Sequence, residues 1–355
     1  MLSLARYLRN QDVFVSFVTT RSGPSYHDGF PINRCHGRIG LWQALRWHPR
    51  CPIIVSSPPA TPAAEVALFA RMLGFRVVVD IRDPFVSEAL KSGDLAPGLK
   101  TRIKLSLERS LFRNAHIVSY VSAPLRILMD DLFGPPNCRQ VVAPNGVDRD
   151  TFYLDDGPQS EIRGAMGFGE GAIFVYVGIL GGKSLDKALN ALAPALRQGA
   201  KLLMIAVLDE YSRPLFEALE EQARGLGVAD NVIWRFNLKL EDVALHLNAC
   251  DIGVNPLPFN RSYCLPVKTF EFLACGVHPL NIVGQDSALR KLLDEGDLAT
   301  FCSSWEECSR RACEMIDSLP DLRARRLARA RSAAPFDREV ANAILTDALL
   351  NRSPS

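Results

Sequence analysis

The sequence predicts an α/β protein made of two Rossmann-like domains, each a parallel sheet covered by helices on both faces. Three observations point there. Short Val/Ile/Leu-rich runs bounded by turn residues recur along the chain, stretches of helical periodicity separate them, and the scheme is laid down twice within 355 residues. Runs without polar alternation suit strands buried on both faces. A chain of this length also exceeds one ordinary core.

In the first half, strands are expected at Val13–Val18, Pro52–Val55, Arg76–Asp80, Ile117–Val121 and Gln140–Ala143. Helices among them include Ala63–Leu73 and Leu99–Arg113. In the second half, the expected strands are Ile173–Val177, Leu202–Val207, Val232–Phe236, Asp251–Val254 and His278–Ile282. Leu185–Leu196, Arg213–Leu226, Leu240–Asn248 and Lys268–Cys275 supply the intervening helices. Between the halves, Asn145-Gly146 is strong turn chemistry, and the polar, Gly-bearing stretch Leu154–Gly171 follows it. The expected domains are therefore 1–148 and 149–330, with 331–355 a C-terminal helix packing back toward the first domain.

Composition narrows the functional classes. Forty-one basic residues against 39 acidic ones give a net charge of +2, so no bulk field draws in nucleic acid or a membrane. Basic residues cluster once, at Lys100, Arg102, Lys104, Arg109 and Arg113, in a segment where Leu99, Ile103, Leu107 and Leu111 recur every fourth residue. That reads as a core-packed amphipathic helix with a solvated basic face, ahead of a helix lying on a membrane. The nine cysteines form no CxxC pair and fit reduced, buried thiols. No apolar run reaches the length of a membrane span, and Arg6 and Arg9 interrupt the apolar N-terminus, unlike a signal peptide. A cytoplasmic protein is expected.

Open α/β sheets take ligands beyond the carboxyl ends of their strands. The segments there are Ser56–Pro59, Asp80–Asp83, Asn145–Gly146, Gly178–Asp186 and Pro266–Gly276. In the last, a helix starting just past a strand end offers unpaired N–H groups to a phosphate. Lys268 adds a full charge there, and Glu271 could accept hydrogen bonds from paired sugar hydroxyls. The plainer alternative is an amphipathic helix with a solvated Lys and Glu. In Gly178–Asp186, Gly181, Gly182 and Lys183 could cradle phosphate, though the loop is neither GxGxxG nor a Walker A motif and an ordinary βα turn explains it too. In Asp80–Asp83, an Asp could take a hydroxyl proton and Arg82 hold an anion, or an Asp–Arg pair could simply close the loop. Asn145 and Gly146 form a tight turn that could also line a cleft between domains. Six histidines show no metal-ligand spacing, and no GxSxG elbow occurs.

Together these segments resemble the GT-B glycosyltransferases, specifically the large retaining family 4, over nearly the whole chain. The resemblance is carried by DIRDPF at 80–85, by Asn145-Gly-Val-Asp148 with Phe152, and by VYVGILGGKSLDKALNAL at 175–192. It continues in DNVIWRF at 230–236, Asn248–Pro256 and LPVKTFEFLACG at 265–276. The most similar subgroup is the bacterial enzymes that assemble cell-surface polysaccharides, including those adding N-acetylated amino sugars.

The resemblance implies a nucleotide-diphosphate sugar as donor and a glycan or lipid-linked saccharide as acceptor, with peripheral contact at the inner membrane surface and no nucleic acid. It implies that Gly181, Gly182, Lys183 and Lys268 face the diphosphate and that Glu271 holds the ribose. Asp83, with Arg82, would be catalytic, next to the transferred sugar or acceptor. No cofactor and no metal are implied, since fixed cations and helix N-termini neutralise the leaving diphosphate. Three departures stand out. Tyr263 replaces the first glutamate of the family's E-x7-E signature, and Ile179 stands where an Arg often lies. Met1–Asn10 resembles the helix after the family's first strand, so the first domain is expected to lack that strand and its Gly-rich loop. These departures keep open a non-catalytic GT-B protein that binds sugar nucleotides, or a truncated enzyme. A sugar-nucleotide epimerase is less favoured, as it would need more acid–base residues.

Overall fold

In the computed structural model, the structure describes all residues except 20–21, 58–59, 85–95, 97, 156, 158, 182–183, 258, 260, 294–297 and 351–355. The chain divides into two units, Met1–Pro144 together with Glu339–Ser355, and Asn145–Arg338.

The first unit opens with α1 (Leu2–Arg9), which buries Leu4, Ala5 and Leu8. A small sheet follows, with β1 (Phe17–Thr19) parallel to β3 (Phe30–Arg34) and β2 (Tyr26–His27) antiparallel to β3. The β2–β3 connection is Asp28-Gly29, both at positive φ (53° and 77°), the backbone that a two-residue hairpin turn needs. The expected strand Val13–Val18 is thus shifted and shortened, and it joins this small sheet. Val13 and Val15 instead pack from a non-strand segment against the core that holds Leu4, Leu8 and Val78.

Next come α2 (Gly37–Trp47), β4 (Ile53–Ser57), α3 (Ala60–Met72), β5 (Val77–Ile81), α4 (Leu99–Asn114), β6 (Ile117–Tyr120), α5 (Ala123–Phe133) and β7 (Arg139–Val142). Their four strands form a parallel sheet in the order β4-β5-β6-β7. All five residues of β5 are buried, as an interior strand requires. The unit closes with α15 (Arg338–Leu350), whose Leu345, Ala348 and Leu349 pack with Leu4, Leu8, Ile117 and Ala143. Arg76 donates to the carbonyls of Ala348 and Leu349, both at 3.1 Å, tying down the helix end.

The second unit is a six-stranded parallel sheet in the order β10-β9-β8-β11-β12-β13. Its strands are β8 (Ile173–Gly178), β9 (Lys201–Ala206), β10 (Val232–Phe236), β11 (Ile252–Pro256), β12 (His278–Ile282) and β13 (Thr300–Cys302). Strand residues alternate between two cores. Ile173, Val175, Val177, Leu203 and Ile205 pack against α9 (Leu240–Ala249) and α10 (Val267–Ala274). Phe174, Tyr176, Leu202 and Met204 pack against α7 (Leu185–Arg197), α8 (Arg213–Gly225) and α12 (Trp305–Asp317). Period-two alternation on a parallel strand thus fills both faces. Gly253 in β11 lets α10 approach closely, because a Cβ there would lie 2.3 Å from the ring of Phe272.

The strand N-termini converge on Asp251. Its carboxylate accepts from Ile173 N at 2.9 Å, Arg163 Nη1 at 2.9 Å, Arg323 Nε at 2.9 Å and Gln159 Nε2 at 3.2 Å. These donors come from β8, from α6 (Gln159–Ala165) and from α13 (Leu319–Ala324). Burial by itself would raise this carboxyl, but the Arg323 hydrogen bond and the Arg163 charge outweigh it and hold it below 3.8. Alongside, Arg326 of α14 (Arg326–Ser332) donates to the carbonyls of Asn248, Cys250 and Cys275, and Arg329 donates to that of Gly276. The last turns of α9 and α10 are satisfied in this way.

Asp251→Ala leaves the Arg163 guanidinium buried without its counter-charge, and should cost about 3–5 kcal/mol in urea unfolding. Because the carboxyl is lowered in the fold, its contribution is complete above pH 3.8 and fades as pH falls through the lower folded value. The variant should therefore lose that part of the wild-type acid dependence; an unchanged profile counts against the assignment. Gly253→Ala, which overpacks Phe272, should cost about 1–3 kcal/mol in the same measurement.

Candidate functional site

The strand order of the second unit fixes where a ligand fits. From β8 the chain progresses outward through β9 and β10, then returns to place β11, β12 and β13 on the other side of β8. The direction reverses between β8 and β11, and the carboxyl ends of two strands at such a switch point leave a crevice. The segments leaving those two strands, Gly178 onward and Pro256 onward, are the two richest in candidate residues. Sequence periodicity could name them but could not pair them.

On the β11 side, α10 begins after Pro266, which caps it in extended conformation with no side-chain bond to the helix. The N–H groups of its first turn therefore lack a side-chain cap. Lys268 and Glu271 lie one turn apart, with Lys268 Nζ 3.1 Å from Glu271 Oε2. The pair is asymmetric: the Glu271 side chain is buried, whereas Lys268 is about one-third exposed, at 34%. Lys268 and Glu271 are thus neither both solvated nor separate, but one ion pair at the helix start.

Behind this turn lies a buried polar cluster that the sequence reading missed. Asn255 and Asn281 are register partners on β11 and β12. Asn255 Nδ2 donates to Asn281 Oδ1 at 3.0 Å and to Thr269 Oγ1 at 2.8 Å. Thr269 Oγ1 donates in turn to Asn281 Oδ1 at 3.1 Å. Thr269 sits between Lys268 and Phe270, so the cluster ties the first turn of α10 to the sheet. Two asparagines in otherwise apolar strands were the available signal, since a buried amide needs a designated partner.

On the β8 side, Tyr176 donates its hydroxyl to Ile179 O at 2.6 Å, and a Cβ on Gly178 would come within 2.7 Å of that hydroxyl. Gly178 is therefore required by the turn itself. Ile179 projects into solvent, Leu180 is buried, and a Cβ on Gly181 would lie 3.4 Å from Leu215. Gly182 and Lys183 lie outside the described residues. Ser184, at φ 50°, forms the entry to α7.

Asn145 donates to Leu265 O at 2.9 Å, which anchors the start of the unit to the segment just before α10. Gly146 lies 2.7 Å, measured from an ideal Cβ, from the Arg338 backbone, and Val147 exchanges backbone hydrogen bonds with Phe336 and Arg338. Only glycine fits that crossing. Tyr263, at the position of the family's first glutamate, is buried.

In the first unit, Arg82 Nε lies 2.8 Å from Asp80 Oδ2, with Asp80 buried at the end of β5. The Asp–Arg pair that closes a loop is thus present. Asp83 follows at the start of the next segment, half-buried. A groove in this unit runs along α2, with His36, Ile39, Gln43 and Trp47 among its lining residues, none of them a site candidate. Among the described residues, no group of three His, Cys, Asp or Glu side chains is arranged to hold a metal ion.

Comparison with known proteins gives this geometry a family. The model of the glycosyl transferase 4-like domain matches residues 1–146, and that of the glycosyl transferases group 1 matches residues 171–317. A GDP-mannose-dependent alpha-(1-6)-phosphatidylinositol monomannoside mannosyltransferase of Mycolicibacterium smegmatis is 28% identical over 48% of this chain and 44% of its own length. A D-inositol 3-phosphate glycosyltransferase of Geodermatophilus obscurus is 30% identical over 53% of this chain and 42% of its own. The chain thus spans less than half the length of these curated relatives.

Among solved structures, sucrose-phosphate synthase from Thermosynechococcus elongatus superposes with a TM-score of 0.75 at 15% identity, covering 99% of this chain and 91% of that one. Anabaena HepE in complex with UDP-glucose gives 0.71 at 16% identity, covering 91% and 86%. These likenesses establish a shared fold. With the two family models matched in order along the chain, it belongs to the family 4-like, group 1 glycosyltransferases, of GT-B architecture.

Proposed function

We propose that this chain transfers a sugar from a nucleotide-diphosphate sugar to a glycan or lipid-linked acceptor, with retention of anomeric configuration, in the synthesis of a surface polysaccharide or glycolipid. The observation that carries the reading is the Lys268–Glu271 pair, held at the N-terminus of α10 beside the switch point.

In this reading the donor diphosphate lies over the first turn of α10. Its charge meets Lys268 and the uncapped N–H groups, while Glu271 turns to the ribose hydroxyls. Gly181, Gly182 and Lys183 close on the phosphates from the β8 side. As the bond from the anomeric carbon to the diphosphate breaks, negative charge grows on the leaving oxygen, where these donors are already fixed. The acceptor hydroxyl bonds to the same carbon from the same face, and its proton leaves to Asp83 or to the departing phosphate. Arg82 holds Asp80 and steadies that loop. The step is metal-independent, with Lys268 and the helix terminus in place of a divalent cation.

The relatives named for GDP-mannose make it the first donor to try, with UDP-sugars beside it. Thermal unfolding should shift upward with one of them, since a ligand at a hundred times its Kd stabilises by about 2.7 kcal/mol. Glu271→Ala, which removes a charged hydrogen-bond acceptor, should weaken that donor at least about tenfold. If no donor in the panel shifts the transition, or Glu271→Ala binds as tightly as wild type, the reading fails. Donor binding without any sugar release or transfer would leave a binding protein in place of an enzyme.

A further inference from the structure

We propose that a groove along α2 in the first unit is a binding site for an acidic glycan. The occupant is named on the strength of the transferase reading, whereas the shape of the groove and the sign of its charge are independent of it.

Charge is segregated around this helix. Residues 29–64 include Arg34, Arg38, Arg46 and Arg50 and not a single Asp or Glu, in a chain whose charges otherwise nearly balance. The two carboxylates that bracket the stretch are engaged: Arg6 holds Asp28 at 2.6 Å, and Arg38 holds Glu65 at 2.6 Å. β3 and α2 both lie inside the stretch, so a ligand between them meets a positive field.

The groove has a volume of about 790 Å³, within the range of ligand-binding clefts. His36, Gly40, Gln43 and Trp47 follow at intervals of four, three and four, one stripe of α2 about 16 Å long. The small residues Gly40 and Ala44 keep its floor low. Gln43 and Asn33, at the end of β3, are exposed along it, and each amide can donate to one hydroxyl while accepting from its neighbour. At the far end Trp47 is 81% exposed, with the Arg46 guanidinium 5.9 Å from its ring centroid. His48 beside it has Nδ1 buried with no hydrogen-bond partner among the described residues. At the near end α2 starts from His36 without a side-chain cap, and Arg34 donates to the Pro24 carbonyl at 2.7 Å. Among the described residues that line the groove there is no carboxylate.

These groups match an anionic sugar chain. An indole left in water offers its face to the C–H side of a pyranose ring. The amides pair with vicinal hydroxyls, and guanidinium groups with a carboxylate or an acidic ester on the sugar. The uncapped N-terminus of α2 adds the same sign. A polynucleotide would use one stacking platform per base, and the groove has one indole. An acidic peptide would leave that indole face unused.

The test is isothermal titration of the full chain with oligogalacturonate, and with maltoheptaose as a neutral chain. The acidic chain should bind at least about tenfold more tightly than the neutral one, and more weakly as salt rises. Trp47→Ala and Gln43→Ala, both at exposed positions, should keep the wild-type melting temperature. Trp47→Ala should weaken oligogalacturonate at least about tenfold, and Gln43→Ala about fivefold. Any donor-induced stabilisation should persist in Trp47→Ala, and oligogalacturonate binding in Glu271→Ala, so the two readings fail separately. Equal affinity for the acidic and neutral chains, no binding, or undiminished binding by Trp47→Ala overturns the proposal. So does tighter binding of a single-stranded oligonucleotide or of polyglutamate.

Discussion

The second unit depends on one buried carboxylate. Asp251 draws together β8, α6 and α13 through five hydrogen bonds, three of them from two guanidinium groups, at the N-terminal edge of the sheet. A charge buried this deeply is tolerable only when fully paired, so the cluster specifies one arrangement of those elements and penalises others. Arg326 and Arg329 extend it by taking up the last carbonyls of α9 and α10. The Arg-rich stretch near the C-terminus is therefore an internal clamp as much as a wet surface.

What the clamp holds in place is the other end of the same strands. With α10 pressed onto Gly253 and tied by Thr269 to Asn255 and Asn281, its first turn has little freedom. Lys268 and Glu271 inherit that rigidity. A site whose charged groups sit on a fixed helix terminus needs little reorganisation when a charged ligand arrives, which is the condition under which fixed dipoles act most strongly.

Much of this was legible in the sequence, and the failures have definite causes. Long Val/Ile/Leu runs such as Ile173–Val177 announced buried strands, because a strand enclosed on both faces has no polar residue to obscure it. β3 and the three-residue β13 lacked that contrast, although Asp28-Gly29 was a hairpin signal in plain view. The pairing of β8 with β11 had no local trace at all, since strand order is settled by long-range packing. Lys268, Glu271 and Gly181 were singled out by their placement after strands. Asn255 and Asn281 were passed over because a polar residue inside a strand reads as noise until its partner is seen across the ladder. α4 failed in part: Leu111 is buried and the basic residues are exposed as expected, but Glu108 and Phe112 join Leu111 inside while Leu99 and Ile103 lie outside.

The clamp at Asp251 and the turn at Lys268 sit at opposite ends of strands five or six residues long, roughly 16–20 Å apart. Loop residues that far from the clamp, with no partner among its side chains, change stability almost independently of it. The loops beyond the strand tips can therefore be rewritten by mutation while the scaffold beneath them keeps its stability. A lineage carrying this architecture can vary what those loops contact without first acquiring a more robust core.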